Sequence, residues 1–163
     1  MQRIPFDLEA YAQRVQSNPC FICEVVAGTH RDGWHEVVAQ TEDGIAFLSK
    51  YPTLLGHVLV APKIHHENVV GDFSEDAFLR LMRLVHRVAR AVEATVQVER
   101  TYLLSLGSQQ GNSHVHWHIS PLPPGVPYHQ QQFHALMAEN GVLPWTQEQA
   151  NVLAGQLRAA LAH

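Results

Sequence analysis

The chain is expected to fold as an α+β domain: an antiparallel sheet of about five strands, a long helix packed on it, and helices toward the C-terminal end. Three observations predict this. Short alternating or β-branched segments recur between residues 35 and 121, and Glu42-Asp43-Gly44 joins two of them with a hairpin turn signal. One long amphipathic pattern spans Glu75 to Thr95. After Pro127 the sheet-like alternation gives way to helical spacing.

The elements follow in order. Asp7 to Val15 places Leu8, Tyr11, Ala12 and Val15 on one helical face, and Asn18-Pro19 ends it. Gly28 marks a turn. His35 to Gln40 and Ile45 to Leu48 read as a hairpin, with His30 and His35 at the surface. His57 to Pro62 is a buried strand closed by proline. Ser74 is a suitable N-cap for the long helix, with Glu75 and Asp76 in its first turn. Phe78, Leu81, Met82, Val85, Val88, Ala89 and Val92 form its buried stripe. Arg80, Arg83, Arg87 and Arg90 fall on another stripe; that spacing fits a solvated face with ion pairs better than a phosphate ridge. His86 lies beside it, exposed. Thr101 to Leu106 is a strand pairing antiparallel with the next. Gln130 to Glu139 and Thr146 to Ala162 read as helices, the second opened by a capping box of Thr146 with Gln149.

Composition sets limits on function. The 163 residues carry a net charge of −4, with 46% apolar and 16% charged residues. This fits one globular domain, 1–163, with 126–163 a helical C-terminal extension. The acidic balance leaves no nucleic-acid footprint, and no apolar run reaches the length of a membrane span. Met1-Gln2-Arg3-Ile4-Pro5 lacks the basic-then-apolar start of a signal peptide. The expected location is the cytoplasm. In that compartment a cysteine pair binds metal or stays reduced more often than it forms a disulfide.

Two motifs carry chemistry. Cys20-Phe21-Ile22-Cys23 lets two thiolates reach one ion. With no second pair, further ligands must be histidines or carboxylates. A thioredoxin-like redox pair would need a helix start after it, which the sequence does not signal; two small core residues are the remaining reading. The second motif is His114-Val115-His116-Trp117-His118-Ile119. In a strand its histidines stand in a row, neighbours roughly 6.5–7 Å apart, while Val115, Trp117 and Ile119 face a core. Imidazole is a metal ligand, a general base and at times a nucleophile.

That run resembles the His-x-His-x-His signature of the histidine triad (HIT) superfamily of nucleotide hydrolases and transferases, zinc-containing type. Gly56-His57-Val58-Leu59-Val60-Ala61-Pro62-Lys63-Ile64-His65 is similar to its second signature, Gly-His-x-hydrophobic-hydrophobic-x-Pro-x-x-His. With these the resemblance extends from about Cys20 to Pro121. It implies a structural zinc held by Cys20, Cys23, His65 and His114. His66 is the rival to His65, because only one of two adjacent side chains can face the ion. It implies that His116 attacks an α-phosphate to form a nucleotidyl-imidazole. His118 and His57 would bind the phosphate oxygens, with backbone N–H groups around Gln110, Gly111, Asn112 and Ser113 adding to them. The ring nitrogen of His116 that does not attack should donate to a backbone carbonyl. Phe21, Ile22, Phe47 and Leu48 are the base-pocket candidates, with core packing an equal alternative for them. The resemblance also implies a homodimer and a small-molecule nucleotide as partner.

Three positions depart from the pattern. Ser49 stands where family members carry an acidic residue used on ribose, Ser105 where Asn or Gln is usual, and Gly111 where a small hydroxyl residue is common. The leading expectation is an enzyme cleaving dinucleoside polyphosphates or nucleoside phosphoramidates. The departures motivate a nucleotide-binding module with little turnover as the alternative. A scaffold in which every histidine binds metal is disfavoured, because His57 and His116 lie beyond the four ligands.

Overall fold

A computed structural model describes residues 2–29, 33–106 and 112–162. The elements are α1 (Leu8–Ser17), α2 (Phe21–Ala27), β1 (Val37–Gln40), β2 (Gly44–Leu48), β3 (Val58–Pro62), α3 (Glu75–Thr95), β4 (Arg100–Leu104), β5 (Trp117–Leu122), α4 (Phe133–Leu136) and α5 (Gln147–Leu161). The strands form one antiparallel sheet in the order β1-β2-β3-β5-β4.

Alternation along the strands sorts side chains onto two faces. Ala46, Leu48, Val58, Val60 and Ile119 pack against α3 and α5 in the main core. Ile45, Phe47, Leu59 and Ala61 face the other way and meet Ile22 and Val25 of α2. α3 has the predicted bounds and stripe, joined by Leu84 and Ala91, and Ser74 accepts from the Ala77 N–H at 3.3 Å. Its arginines at 80, 83, 87 and 90 and its His86 are exposed, and Arg80 pairs with Asp43 at 2.6 Å. α5 packs on α3 and β1, opened by the predicted Thr146–Gln149 capping box.

Several expectations need correction. α2 starts directly at Phe21 with Cys20 as its N-cap, so the pair does have a helix behind it. Its seven residues are too short for a clear periodic signal, and burial of Ile22 and Val25 supplies what propensity does not. The tail reading over Gln130–Glu139 is not one helix. A 3₁₀ turn at Tyr128–Gln130, the four-residue α4 and a second 3₁₀ turn at Ala138–Asn140 replace it. Gln132 sits at φ 53 between them, which interrupts the α geometry. His35 is half-buried rather than on the surface, stacked on Phe21 at 5.6 Å and edge-on to Phe47 at 5.7 Å. His30 lies outside the described residues.

The histidine run also differs from a straight strand. β5 begins only at Trp117, so His114 and His116 precede it. β3 and β5 pair Val60 with Trp117, and the next rung would join residues 62 and 115. Pro62 has no N–H to offer there. The Val115 N–H donates instead to the His66 carbonyl at 2.7 Å. The chain bends away before β5 begins.

Gly56 sets the entry to β3. Its φ is +87°, and an added Cβ would lie 3.2 Å from Val96 and 3.3 Å from Pro121. Gly56→Ala is expected to cost about 1–3 kcal/mol, read as a lowered urea midpoint at unchanged slope. An unchanged midpoint would count against this strain.

Candidate active site

Four donors converge where α2 meets the end of β3 and the approach to β5. One ligand atom each of Cys20, Cys23, His65 and His114 lies within 4.8 Å of all the others. Cys20 Sγ is 3.4 Å and Cys23 Sγ 3.6 Å from His114 Nδ1, and Cys23 Sγ is 3.3 Å from His65 Nδ1. The His114 Nε2–H donates to the Pro62 carbonyl at 2.9 Å, and the His65 Nε2–H to Glu67 Oε1 at 3.2 Å. Each bond fixes the tautomer that leaves Nδ1 bare toward the thiols. The group could hold a metal ion. His66 turns away, its ring 4.6 Å from that of Phe73. Burial, with Cys23 beside it, pushes the Cys20 thiol up to about 11 in the metal-free chain.

His116 and His118 lie on the sheet face that α3 leaves free, with His57 from the start of β3. His116 Nδ1–H donates to the His114 carbonyl at 2.7 Å, which leaves Nε2 as the unprotonated nitrogen. The His116 carbonyl in turn accepts from the Ser105 hydroxyl at 2.8 Å. The His116 and His118 rings are 4.8 Å apart, closer than a straight strand would put them. His57 Nε2 meets His118 Nδ1 at 2.9 Å. Burial lowers every one of these imidazoles. His57 falls to about 4, with His116 adding to the effect; His118 falls well below 6.5, helped by His57 and His116. Burial also lowers His116, and its bond to the His114 carbonyl opposes this. The cluster is therefore neutral at pH 7.

A cavity of about 260 Å³ opens over these rings. Phe6, Leu8, Tyr11 and Tyr51 wall one side, and Leu136, Met137 and Ala138 come from the chain after β5. Four polar atoms on its lining, Thr53 Oγ1, His57 Nδ1, Asn112 Nδ2 and Ser120 Oγ, are buried without a protein partner among the described residues. Such groups call for a polar ligand or solvent.

Among the predicted binding residues, Phe21, Ser49 and Asn112 line this cavity, and Phe47 floors a smaller one beside it. Ile22 does not: it is fully buried between α2 and the sheet. Leu48 faces the α3 core, because it alternates with Phe47. Ser113 lines neither cavity, as its hydroxyl donates to Glu67 Oε1 at 2.9 Å. Gln110 and Gly111 lie outside the described residues. Sequence reasoning missed Thr53, Ser120 and the walls from both ends of the chain. Ser120 was within reach, since it alternates with His118 on β5; the walls depend on long-range packing that carries no local signal.

The fold and site thus define an α+β protein whose antiparallel sheet carries a histidine cluster beside a Cys₂His₂ donor set. The HIT domain profile matches residues 33–124, and the chain belongs to the HIT family. It is 33% identical over 105 residues to an uncharacterized HIT-like protein of Saccharolobus solfataricus, covering 63% of this chain and 73% of that one. It is 32% identical over 106 residues to the adenosine 5′-monophosphoramidase of Schizosaccharomyces pombe, covering 64% and 74%. The crystal structure of a hypothetical histidine triad nucleotide-binding protein from Sulfolobus tokodaii superposes with a TM-score of 0.69 at 26% identity, covering 88% and 92%.

Proposed function

We propose that the protein is a nucleotide hydrolase or nucleotidyl transferase that cleaves at an α-phosphate through a covalent intermediate on His116. One observation carries this reading: the His114 carbonyl holds Nδ1–H of His116, so Nε2 faces the cavity as a bare nucleophile among neutral imidazoles. In the first step the Nε2 lone pair forms a bond to phosphorus. The bond from phosphorus to the leaving group breaks, and its electron pair departs with that group. Water or another acceptor then attacks phosphorus and releases the imidazole. A His57 Nε2–H donated to His118 Nδ1 leaves the His118 Nε2–H free to stabilise phosphate oxygens. His57 thus acts through His118. The fission yeast relative's name makes an adenosine phosphoramidate the first substrate to try.

The test is a single-turnover reaction with labelled adenosine phosphoramidate and a dinucleoside polyphosphate, quenched and separated from free nucleotide. A labelled protein adduct is expected. Nucleotide binding with neither adduct nor product would leave a binding module instead. The pH profile is a second check. A lowered folded-state pKa keeps His116 neutral to lower pH, so the acid limb of kcat/KM is expected below 6.5. A limb at or above 6.5 would contradict it.

Zinc is the ion the four donors suit. Bonds of about 2.3 Å to sulfur and about 2.05 Å to nitrogen, set tetrahedrally, put sulfur and nitrogen about 3.6 Å apart. The separations here are 3.3, 3.4 and 3.6 Å. With all four positions filled by protein, the ion's contribution is structural. The assembly we propose is a homodimer along β4, whose outer edge pairs with no strand among the described residues and whose Leu103 is 54% exposed. Light scattering should give twice the 18.3 kDa chain mass, falling toward the monomer in Leu103→Lys. A monomeric wild type would end this reading.

A further inference from the structure

The cavity over the histidines opens beside a second, smaller one of about 60 Å³, and the two share Tyr11, Phe21, Ser49, Tyr51 and Leu59. Their charges differ. Among the described residues, no Asp, Glu, Lys or Arg lines the larger cavity. Arg14 and Lys50 border the smaller one, and no carboxylate does.

Arg14 is held in place. Its guanidinium lies 5.4 Å from the Tyr11 ring centroid and 5.7 Å from that of Tyr51, and it donates to the Tyr51 hydroxyl at 3.1 Å. Lys50 Nζ lies 5.9 Å from the same Tyr51 ring. Lys50 has further contacts of its own, so the assignment rests on Arg14, which pairs with no carboxylate among the described residues. Stacking on two tyrosines keeps the planar fork ordered while its other N–H donors stay available, which favours recognition of a phosphate or carboxylate. A solvated surface arginine would show the same stacking. It would not ordinarily border a cavity that shares five lining residues with the one over a nucleophile.

Resting on the nucleotide reading above, we propose that the smaller cavity is an anion subsite for a second phosphate carried by the nucleoside. The preferred substrates are then nucleotides with a 2′- or 3′-phosphate in addition to the 5′ phosphorus bond that is cleaved. The shared walls supply what lies between the two anions: the apolar rings of Tyr11, Phe21 and Tyr51, and the Ser49 hydroxyl. A carboxylate at Ser49 would repel a phosphate on the ribose; a hydroxyl does not. Extra phosphates in the 5′ chain would instead lie in the larger cavity, where no lysine or arginine among the described residues meets them.

Calorimetric titration of metal-loaded protein with reaction products and analogues separates the possibilities. Adenosine 3′,5′-bisphosphate or its 2′,5′ isomer is expected to bind about tenfold more tightly than adenosine 5′-monophosphate, and adenosine 5′-triphosphate no more tightly. Arg14→Gln should bring the bisphosphate advantage to within about twofold, and Arg14→Lys, which keeps the charge but loses the stacked fork, should keep only part of it. Equal binding of mono- and bisphosphate, or an advantage that Arg14→Gln leaves intact, overturns the subsite and leaves the nucleotide reading standing. A gain for the triphosphate alone also overturns it, by placing the second anion in the 5′ chain. If none of these nucleotides binds, the nucleotide reading itself fails, and the subsite with it.

Discussion

Replacing His116 by alanine is expected to lower kcat/KM for an adenosine phosphoramidate by about 10⁴-fold or more and to abolish the labelled adduct. The size of the loss follows from covalency: no neighbouring ring can take over a bond that Nε2 alone is placed to form. The fold should survive. His116 lines the cavity rather than the core, and the Ser105 hydroxyl binds its main-chain carbonyl, which alanine keeps. The variant should therefore retain its metal, its melting temperature to within a few degrees and its affinity for adenosine 5′-monophosphate. Turnover within tenfold of wild type would remove His116 from the reaction. Loss of both turnover and metal would show instead that the residue is structural.

Stripping the metal is expected to have the largest effect on stability. Cys20 and Cys23 belong to the segment of α2, His65 to the loop after β3, and His114 to the approach to β5. One ion would join all three. Chelation should lower the melting temperature by about 10 °C or more, restored by added zinc. Uptake should also release protons, because burial keeps the Cys20 thiol protonated in the metal-free chain up to about pH 11. Titration in buffers of different ionisation heats measures this. A melting temperature indifferent to chelator in protein shown to contain metal would sink the structural role, and Cys23→Ala would then be expected to melt like wild type.

What could be read beforehand follows the range of the forces involved. α3 was legible to its end residues, since a Ser74 cap and a buried stripe are local signals. The hairpin at Glu42-Asp43-Gly44 was equally plain, for its turn chemistry is contained in three residues. The four candidate metal donors could be named from the Cys-x-x-Cys pair together with the family resemblance of the runs that hold His65 and His114. α2 was not legible: seven residues carry less than two turns of pattern, and its helix is held by Ile22 and Val25 against Phe47. The base-pocket candidates divide for a similar reason. Neighbouring apolar residues Phe21 and Ile22 look alike in sequence, yet Ile22 is sealed in the core while Phe21 lines both cavities. The cavity walls Phe6, Leu136 and Met137 come from opposite ends of the chain, so only tertiary packing brings them together.

The missing N–H of Pro62 breaks an equivalence. Had the ladder between β3 and β5 run on through residue 115, the three histidines would have shared one face, one spacing and one environment. Their imidazoles would have been interchangeable. As the ladder stops, His114 and His116 leave it for the thiol pair and the main chain of His114, while His118 stays within it beside the ring of His57. The carbonyl of that same proline anchors the first of them. A single imino acid thus turns a repeated motif into a division of labour, and a sequence repeat here does not imply a functional one.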